Sequence, residues 1–377
     1  MRLRSRAARG VELVSVTELE RRLQLAVANG APAVVFGAVW REGGTLLRAA
    51  GYSDLRSGRL VSTDTPFSWF SITKLFTATA VMQFVERGTV ALDEPVSRYL
   101  PEQRLTMNGR EATVRHLLSH TAGLPNPIPV SWIHLVAEPG PSLDSLTTRV
   151  IRPNQKLKFE PGAKSSYSNL GYLLLGQLVE RVSGEPYEEY IQGHVLTPLG
   201  CEATGFHVPG GTATGYQRRW SLMGLASRWM LDARFFGDSM DGYTALQPFT
   251  VDGAPYGGLI GPASDLLRFA HMMLRGGRGA NDVILDESSV RAVLTPVLDQ
   301  EGRECAVGLG WHLGGERETR YAYHLGGGGF RSEIRIYPTL GYAVAVLANE
   351  TSFPTETLTR LVVGREPLPT GQLPPLI

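Results

Sequence analysis

The chain has 377 residues, 43% of them hydrophobic and 19% charged, and its 37 basic and 36 acidic residues leave a formal charge of +1. That length suits one composite domain or two of roughly 100–200 residues, and the low charge content excludes a disordered chain. Near-neutrality gives no general pull toward nucleic acid or an acidic membrane surface, and two cysteines, Cys201 and Cys305, exclude a disulfide-stapled scaffold.

In chain order, residues 1–10 (MRLRSRAARG) are basic, and acidic residues in the following VELVSVTELERR interrupt any apolar leader. A cytoplasmic protein with reduced thiols is the expectation. Residues 16–29 place Val16, Leu19, Leu23, Ala26 and Val27 at helical spacing, with Gly30 as the stop. Residues 32–40 and 45–51 read as strands joined by the turn 41–44. A helix over 72–87, ended by Gly88, is apolar nearly all round and should be buried on most sides. A short helix at 114–119, a buried one at 172–182 and a more polar one at 186–193 follow. Residues 212–248 are rich in Arg, Gly and aromatics without a clear period and read as an irregular insertion. Helical spacing returns at 263–275, and strand-like runs occupy 307–311, 321–324, 330–337 and 342–349. Beyond Pro354 come a short helix and the proline-rich LPTGQLPPL, a loose end. No uncharged apolar stretch reaches the ~18 residues of a membrane span.

Strands at both ends with helices between predict an α+β fold. Its antiparallel sheet is built from both chain ends and flanked by helices, with a mostly helical domain inserted. Residues 1–70 and 251–377 would form the first domain and 71–250 the second, with the active site at their interface. Parallel α/β alternation is absent, which disfavours a doubly wound sheet.

Three short patterns carry chemistry. In Ser71-Ile72-Thr73-Lys74, the i, i+3 spacing at the start of an apolar helix puts both side chains on one face. Serine is a poor nucleophile until a base takes its proton, and a desolvated lysine can be that base. The helix N-terminus offers N–H groups to a developing oxyanion. Only Lys74, Lys156, Lys158 and Lys164 interrupt an otherwise all-arginine basic set. Lys74 is the one whose proposed role arginine should fail, because arginine does not release its proton. In Tyr167-Ser168-Asn169, the phenol can share a proton network with the lysine, and Asn169 can donate to a substrate carbonyl. In His324-Leu325-Gly326, glycines lead into a strand, and glycine lets backbone approach a ligand closely. His312-Leu313-Gly314 is a second copy; the first is preferred for its glycine run, Gly326 to Gly329. Chance supplies the S-x-x-K pattern about 0.25 times and the Y-x-N pattern about 0.24 times, but all three in this order only ~0.01 times.

Together the three patterns resemble the penicillin-recognising serine hydrolases, in the branch holding class C β-lactamases, D,D-carboxypeptidases and family VIII carboxylesterases. Agreeing segments include LDEPVSRYLPE, TVRHLLSHTAGLP, FEPGAKSSYSNLGYLLLGQLVERVSG and YGGLIGPASDLLRFA, over roughly residues 16–350. The resemblance implies that Ser71 is the acylated nucleophile, Lys74 and Tyr167 its proton partners, and Gly327 the second oxyanion donor. Asn169, His324, Leu325 and Gly326 would contact substrate. Where relatives often carry Lys-Thr-Gly, Leu325 has no hydroxyl and a histidine of ordinary pKa is mostly neutral at pH 7. An anionic substrate end would lose a partner worth ~1.5–3 kcal/mol. The expected activity is therefore a metal-free, cofactor-free carboxylesterase acting on uncharged small-molecule esters. A β-lactamase, a D,D-peptidase, an acyltransferase and a non-catalytic acyl- or peptide-binding module are the alternatives. No G-x-S-x-G elbow occurs. His116 and His120 lack the H-E-x-x-H pattern and read as a helix-end pair with local hydrogen bonds. The arginines near 217–219 and 228–234 read as solvated faces.

Overall fold

The computed structural model describes residues 12–363 except 129–130, 281 and 317–318. The basic segment 1–10 and the proline-rich tail lie outside the described residues. Helix α1 (Val16–Asn29) occupies its expected span, capped by the Ser15 side chain, which accepts from Glu18 N–H at 3.2 Å. Leu19 and Leu23 on its inner face are fully buried, each contributing about 1.5–3 kcal/mol.

Strands β1 (Ala33–Trp40) and β2 (Thr45–Asp54) form the expected hairpin, and β3 (Arg59–Leu60) extends its edge. The far end of the chain supplies β4 (His312–Gly314), β5 (Tyr321–Gly327), β6 (Arg331–Tyr337) and β7 (Tyr342–Ala348). All seven form one sheet in the order β4-β5-β6-β7-β1-β2-β3, every neighbour antiparallel. The sheet assembled from both chain ends is therefore as the sequence predicts. Its seam is the β7–β1 pair, with Tyr342 opposite Trp40 and Ala348 opposite Val34.

Side chains alternate across β1, as a pleated strand requires. Val34, Phe36 and Ala38 join Leu19, Leu23 and Val344 on one face, while Val35 and Val39 join a larger, mostly helical core on the other. That second core holds α2 (Thr73–Glu86), α3 (Asn169–Ser183) and α4 (Ala263–Leu274). Residues 73–82 of α2 are buried without exception, as its all-round apolarity predicts. Phe76 stacks on Phe269 of α4 at 4.3 Å.

Two segments differ from the sequence reading. Residues 307–311 are not a strand: a Cβ at Gly308 would stand 2.1 Å from Val293 O, and Gly310 has φ +88, so this stretch is a loop pressed onto its neighbours. Residues 212–248 are not irregular. They hold a helix, Leu222–Met230, and three strands, Tyr216–Arg218, Phe236–Met240 and Tyr243–Leu246, paired in one antiparallel sheet. Strands of three to five residues are too short to show a period. Cys201 and Cys305 are both unpaired. Among the described residues no helix is long and apolar enough to cross a membrane.

Candidate active site

Ser71 lies in a 3-10 turn, Phe70–Ile72, that runs directly into α2. Phe70, just before it, has φ +48. For a bulky residue that left-handed conformation costs on the order of 1–3 kcal/mol and persists only where surroundings impose it. They do so here. Trp69 N–H donates to Leu259 O at 2.9 Å, Leu259 N–H donates to Thr73 Oγ1 at 3.0 Å, and the Phe70 ring packs on Phe249 and Phe330. From β6, Ser332 Oγ donates to Trp69 O at 2.9 Å. Gly326 of β5 lies against the same carbonyl, where a Cβ would come within 2.0 Å. The first and third motifs are thus in direct contact, and only glycine permits the approach.

Lys74 is wholly buried. Its Nζ is 3.0 Å from Ser71 Oγ and 2.7 Å from Tyr256 O, and it lies 5.0, 5.5 and 5.3 Å from the ring centroids of Tyr167, Tyr172 and Tyr256. Desolvation holds its pKa well below that of an ordinary lysine. Ring faces favour the ammonium by about 2 kcal/mol when desolvated, but burying an unpaired charge costs several kcal/mol, so burial shifts the balance toward the neutral amine. Its donors also fit: one N–H serves Tyr256 O, and the lone pair is free for the Ser71 proton.

Tyr167 OH donates to Ser71 Oγ at 2.8 Å. Burial raises its pKa, and the bond to Ser71 offsets part of that rise, so it rests as a phenol. The segment around it is clamped. Ser166 N–H donates to His120 O at 2.8 Å, Ser168 N–H to His120 Nδ1 at 3.2 Å, and Ser168 Oγ to Pro125 O at 2.7 Å. Asn169 opens α3, buried, its N–H donating to Asn126 Oδ1 at 3.0 Å. Its own Oδ1 has no partner among the described residues.

Histidines surround Tyr167. The rings of His120, His312 and His324 lie 4.5, 6.1 and 6.3 Å from it. Burial lowers the pKa of all three, so they are neutral at neutral pH. His324, expected to meet substrate, instead belongs to this wall: it is fully buried, with Nδ1 2.9 Å from Leu325 O. His116 behaves as the sequence suggests, its Nδ1 accepting from Thr113 N–H at 3.1 Å in a capping box. The sequence reading set His120 aside as half of a helix-end pair and passed over His312 as the second histidine-x-glycine copy, yet both rings stand against Tyr167. The available signal was the position of His120 inside TVRHLLSHTAGLP, a segment that carries the resemblance.

In front of Ser71 opens a cavity of about 350 Å³. Ser71, Asn169 and Gly327 border it, and Met230, Phe235, Leu246, Phe249 and Val251 supply its wall. Among the described residues no Lys, Arg, Asp, Glu or His lines it, and Leu325 is not among the lining residues. Among the described residues no three potential metal ligands come together.

A family model described as Beta-lactamase matches residues 19–364. The chain is 37% identical over 199 residues to esterase EstB of Burkholderia gladioli, covering 50% of this chain and 48% of that protein. It is 27% identical over 300 residues to the D-alanyl-D-alanine-carboxypeptidase/endopeptidase AmpH of Escherichia coli, covering 76% and 72%. The first three curated relatives are matched over 61%, 32% and 48% of their lengths, so the chain spans about half of such proteins. Among solved structures, the octameric penicillin-binding protein homologue from Pyrococcus abyssi superposes with a TM-score of 0.76 at 24% identity, covering 92% of this chain and 76% of that one. At that identity the likeness is one of fold.

Proposed function

Because the chain belongs to the β-lactamase family, we propose that it is a serine hydrolase working through an acyl-enzyme, and specifically a carboxylesterase for uncharged esters with short or medium acyl chains. The observation that carries this reading is the convergence of Lys74 Nζ and Tyr167 OH on Ser71 Oγ, at 3.0 and 2.8 Å, beside a cavity with no charged side chain among the described residues of its lining.

In this reading neutral Lys74 takes the Ser71 proton as Oγ attacks the ester carbonyl. The N–H groups of Ser71 and Gly327 receive the oxyanion. Tyr167 passes a proton to the departing alkoxide and is reprotonated from Lys74, and the alcohol leaves. Water then attacks the acyl-enzyme, loses its proton to the same pair, and the carboxylic acid departs with Ser71 restored. The site lies between the sheet-bearing part of the chain (1–70 with 251–377) and the residues between them, a division that belongs to this proposal. Neutral His324 and apolar Leu325 put neither a cation nor a hydroxyl at the third motif, which favours esters over β-lactams and D-alanyl peptides.

The test compares p-nitrophenyl butyrate with a chromogenic cephalosporin on wild type and Ser71→Ala. Ester turnover should fall by roughly 10⁴-fold or more in the variant, and intact-mass analysis of wild type should show an acyl adduct. Ester turnover surviving Ser71→Ala would refute the mechanism. Strong cephalosporin turnover with little esterase activity would make the protein a β-lactamase instead.

A further inference from the structure

The helix Leu222–Met230 is inside out. Its inward side carries Gly224 and Ser227: a Cβ at Gly224 would stand 2.0 Å from Arg218 O, and Ser227 Oγ donates to Gly224 O at 2.9 Å and to Gln217 Oε1. Its outward side carries Leu222, Leu225 and Trp229, exposed by 89%, 45% and 93%, with Trp220 just before the Ser221 cap exposed by 76%. Positions 222, 225 and 229 share one helical face. Ordinary surface helices put such residues toward the core, and a contiguous exposed apolar face marks a binding surface.

Charge identifies the occupant. Arg219 stacks on Trp220 at 5.0 Å, and neither Arg219 nor Arg228 has a carboxylate partner among the described residues. Arg234 is already engaged by Glu138 and Asp232, and the helix itself has no acidic residue. Trp and Leu flanked by free arginines suit the headgroup boundary of an anionic bilayer. A second copy of the chain fits worse, because two-fold pairing of this face would bring like charges together with no carboxylate on the helix to answer them. The face also adjoins the site: Met230 at the end of this helix, with Ile128, lines the cavity in front of Ser71, and both are exposed, by 41% and 65%.

We propose that the helix Leu222–Met230 seats this protein on anionic lipid surfaces, with the cavity mouth at the lipid boundary. The catalytic consequence, faster turnover of esters dissolved in such a surface, rests on the esterase reading. The binding does not, and it is measured without any turnover.

The full chain is sedimented with phosphatidylglycerol vesicles and with phosphatidylcholine vesicles. Binding to the first should exceed binding to the second and weaken with salt. Leu222→Ser with Trp229→Ser should lower the bound fraction about tenfold with the melting temperature unchanged. Of six tryptophans, Trp220 and Trp229 are the two exposed ones. Quenching of wild-type fluorescence by brominated phosphatidylglycerol therefore reads insertion even if the variant misfolds. Absence of both sedimentation and quenching would overturn the proposal. So would a dimer of wild type that the double substitution dissociates.

Discussion

Behind Ser71 the groups that would move protons are held in place. Lys74 Nζ is fixed between Ser71 Oγ and Tyr256 O, Tyr167 is clamped through its neighbours by residues 120–125, and three neutral histidines close the wall. In front of Ser71 the cavity offers aliphatic and aromatic side chains, and much of its wall comes from residues 230–251. The contrast separates two tasks. Proton transfer depends on distances of about 3 Å and on a dielectric low enough to keep an amine neutral. Holding an acyl chain asks only for volume and apolar surface. Substitutions behind the serine should therefore act on kcat and its pH profile, and substitutions in front on substrate preference.

Among changes that leave the nucleophile in place, the largest effect should come from Lys74→Arg, which keeps a cation but cannot release its proton. We expect kcat for a soluble ester to drop by about 1,000-fold, with circular dichroism showing an intact fold. In wild type the depressed pKa of Lys74 gives the sign of the pH dependence: activity rises with pH as the amine loses its proton and falls in acid as it regains one. Full activity in Lys74→Arg would erase the proposed distinction between the two sides.

A smaller change belongs in front. Phe235→Ala enlarges the cavity wall, and the ratio of kcat/KM for a longer acyl ester over butyrate should rise by about tenfold while the pH profile stays put. A shifted profile would mean the two sides are coupled.

The smallest effect concerns stability. Burial lowers the pKa of His116 from 6.5 to about 4. Between those values the unfolded chain binds a proton that the folded chain refuses. The stabilisation is therefore complete above 6.5 and is lost as pH falls toward 4. His116→Asn, which can still accept from Thr113 N–H, should show a shallower fall of melting temperature across that window. An unchanged slope would place the acid sensitivity elsewhere, with the histidines behind Tyr167 as the next suspects.

Where neighbours in sequence determine an element, the sequence is a good guide. Helix α1 carries its own cap and stop, β1 and β2 share one tight turn, and Ser71 and Lys74 meet because one helical turn joins them. Features made by distant segments were hidden. His120 and His312 converge on Tyr167 from separate loops and strands, and no spacing rule links positions so far apart. The Leu222–Met230 helix has apolar residues at helical intervals, but the close approach of Gly224 to the strand Tyr216–Arg218 decides that they face out. The loop at 307–311 reads as a strand from its apolar residues, and the contact of Gly308 with the Val293 carbonyl forbids it.

The seam of the large sheet gives the protein a timetable. On one side β1 pairs with its hairpin partner; on the other it pairs with β7, which is synthesised about 300 residues later. Until then one apolar strand edge stands open, the kind of surface that nascent or refolding chains use to aggregate. The same delay reaches Ser71. Its turn is braced by Gly326 and Ser332 on strands β5 and β6, which come close to the end of the described chain. The nucleophile is made early in synthesis and acquires its working geometry only when almost the last strand has joined.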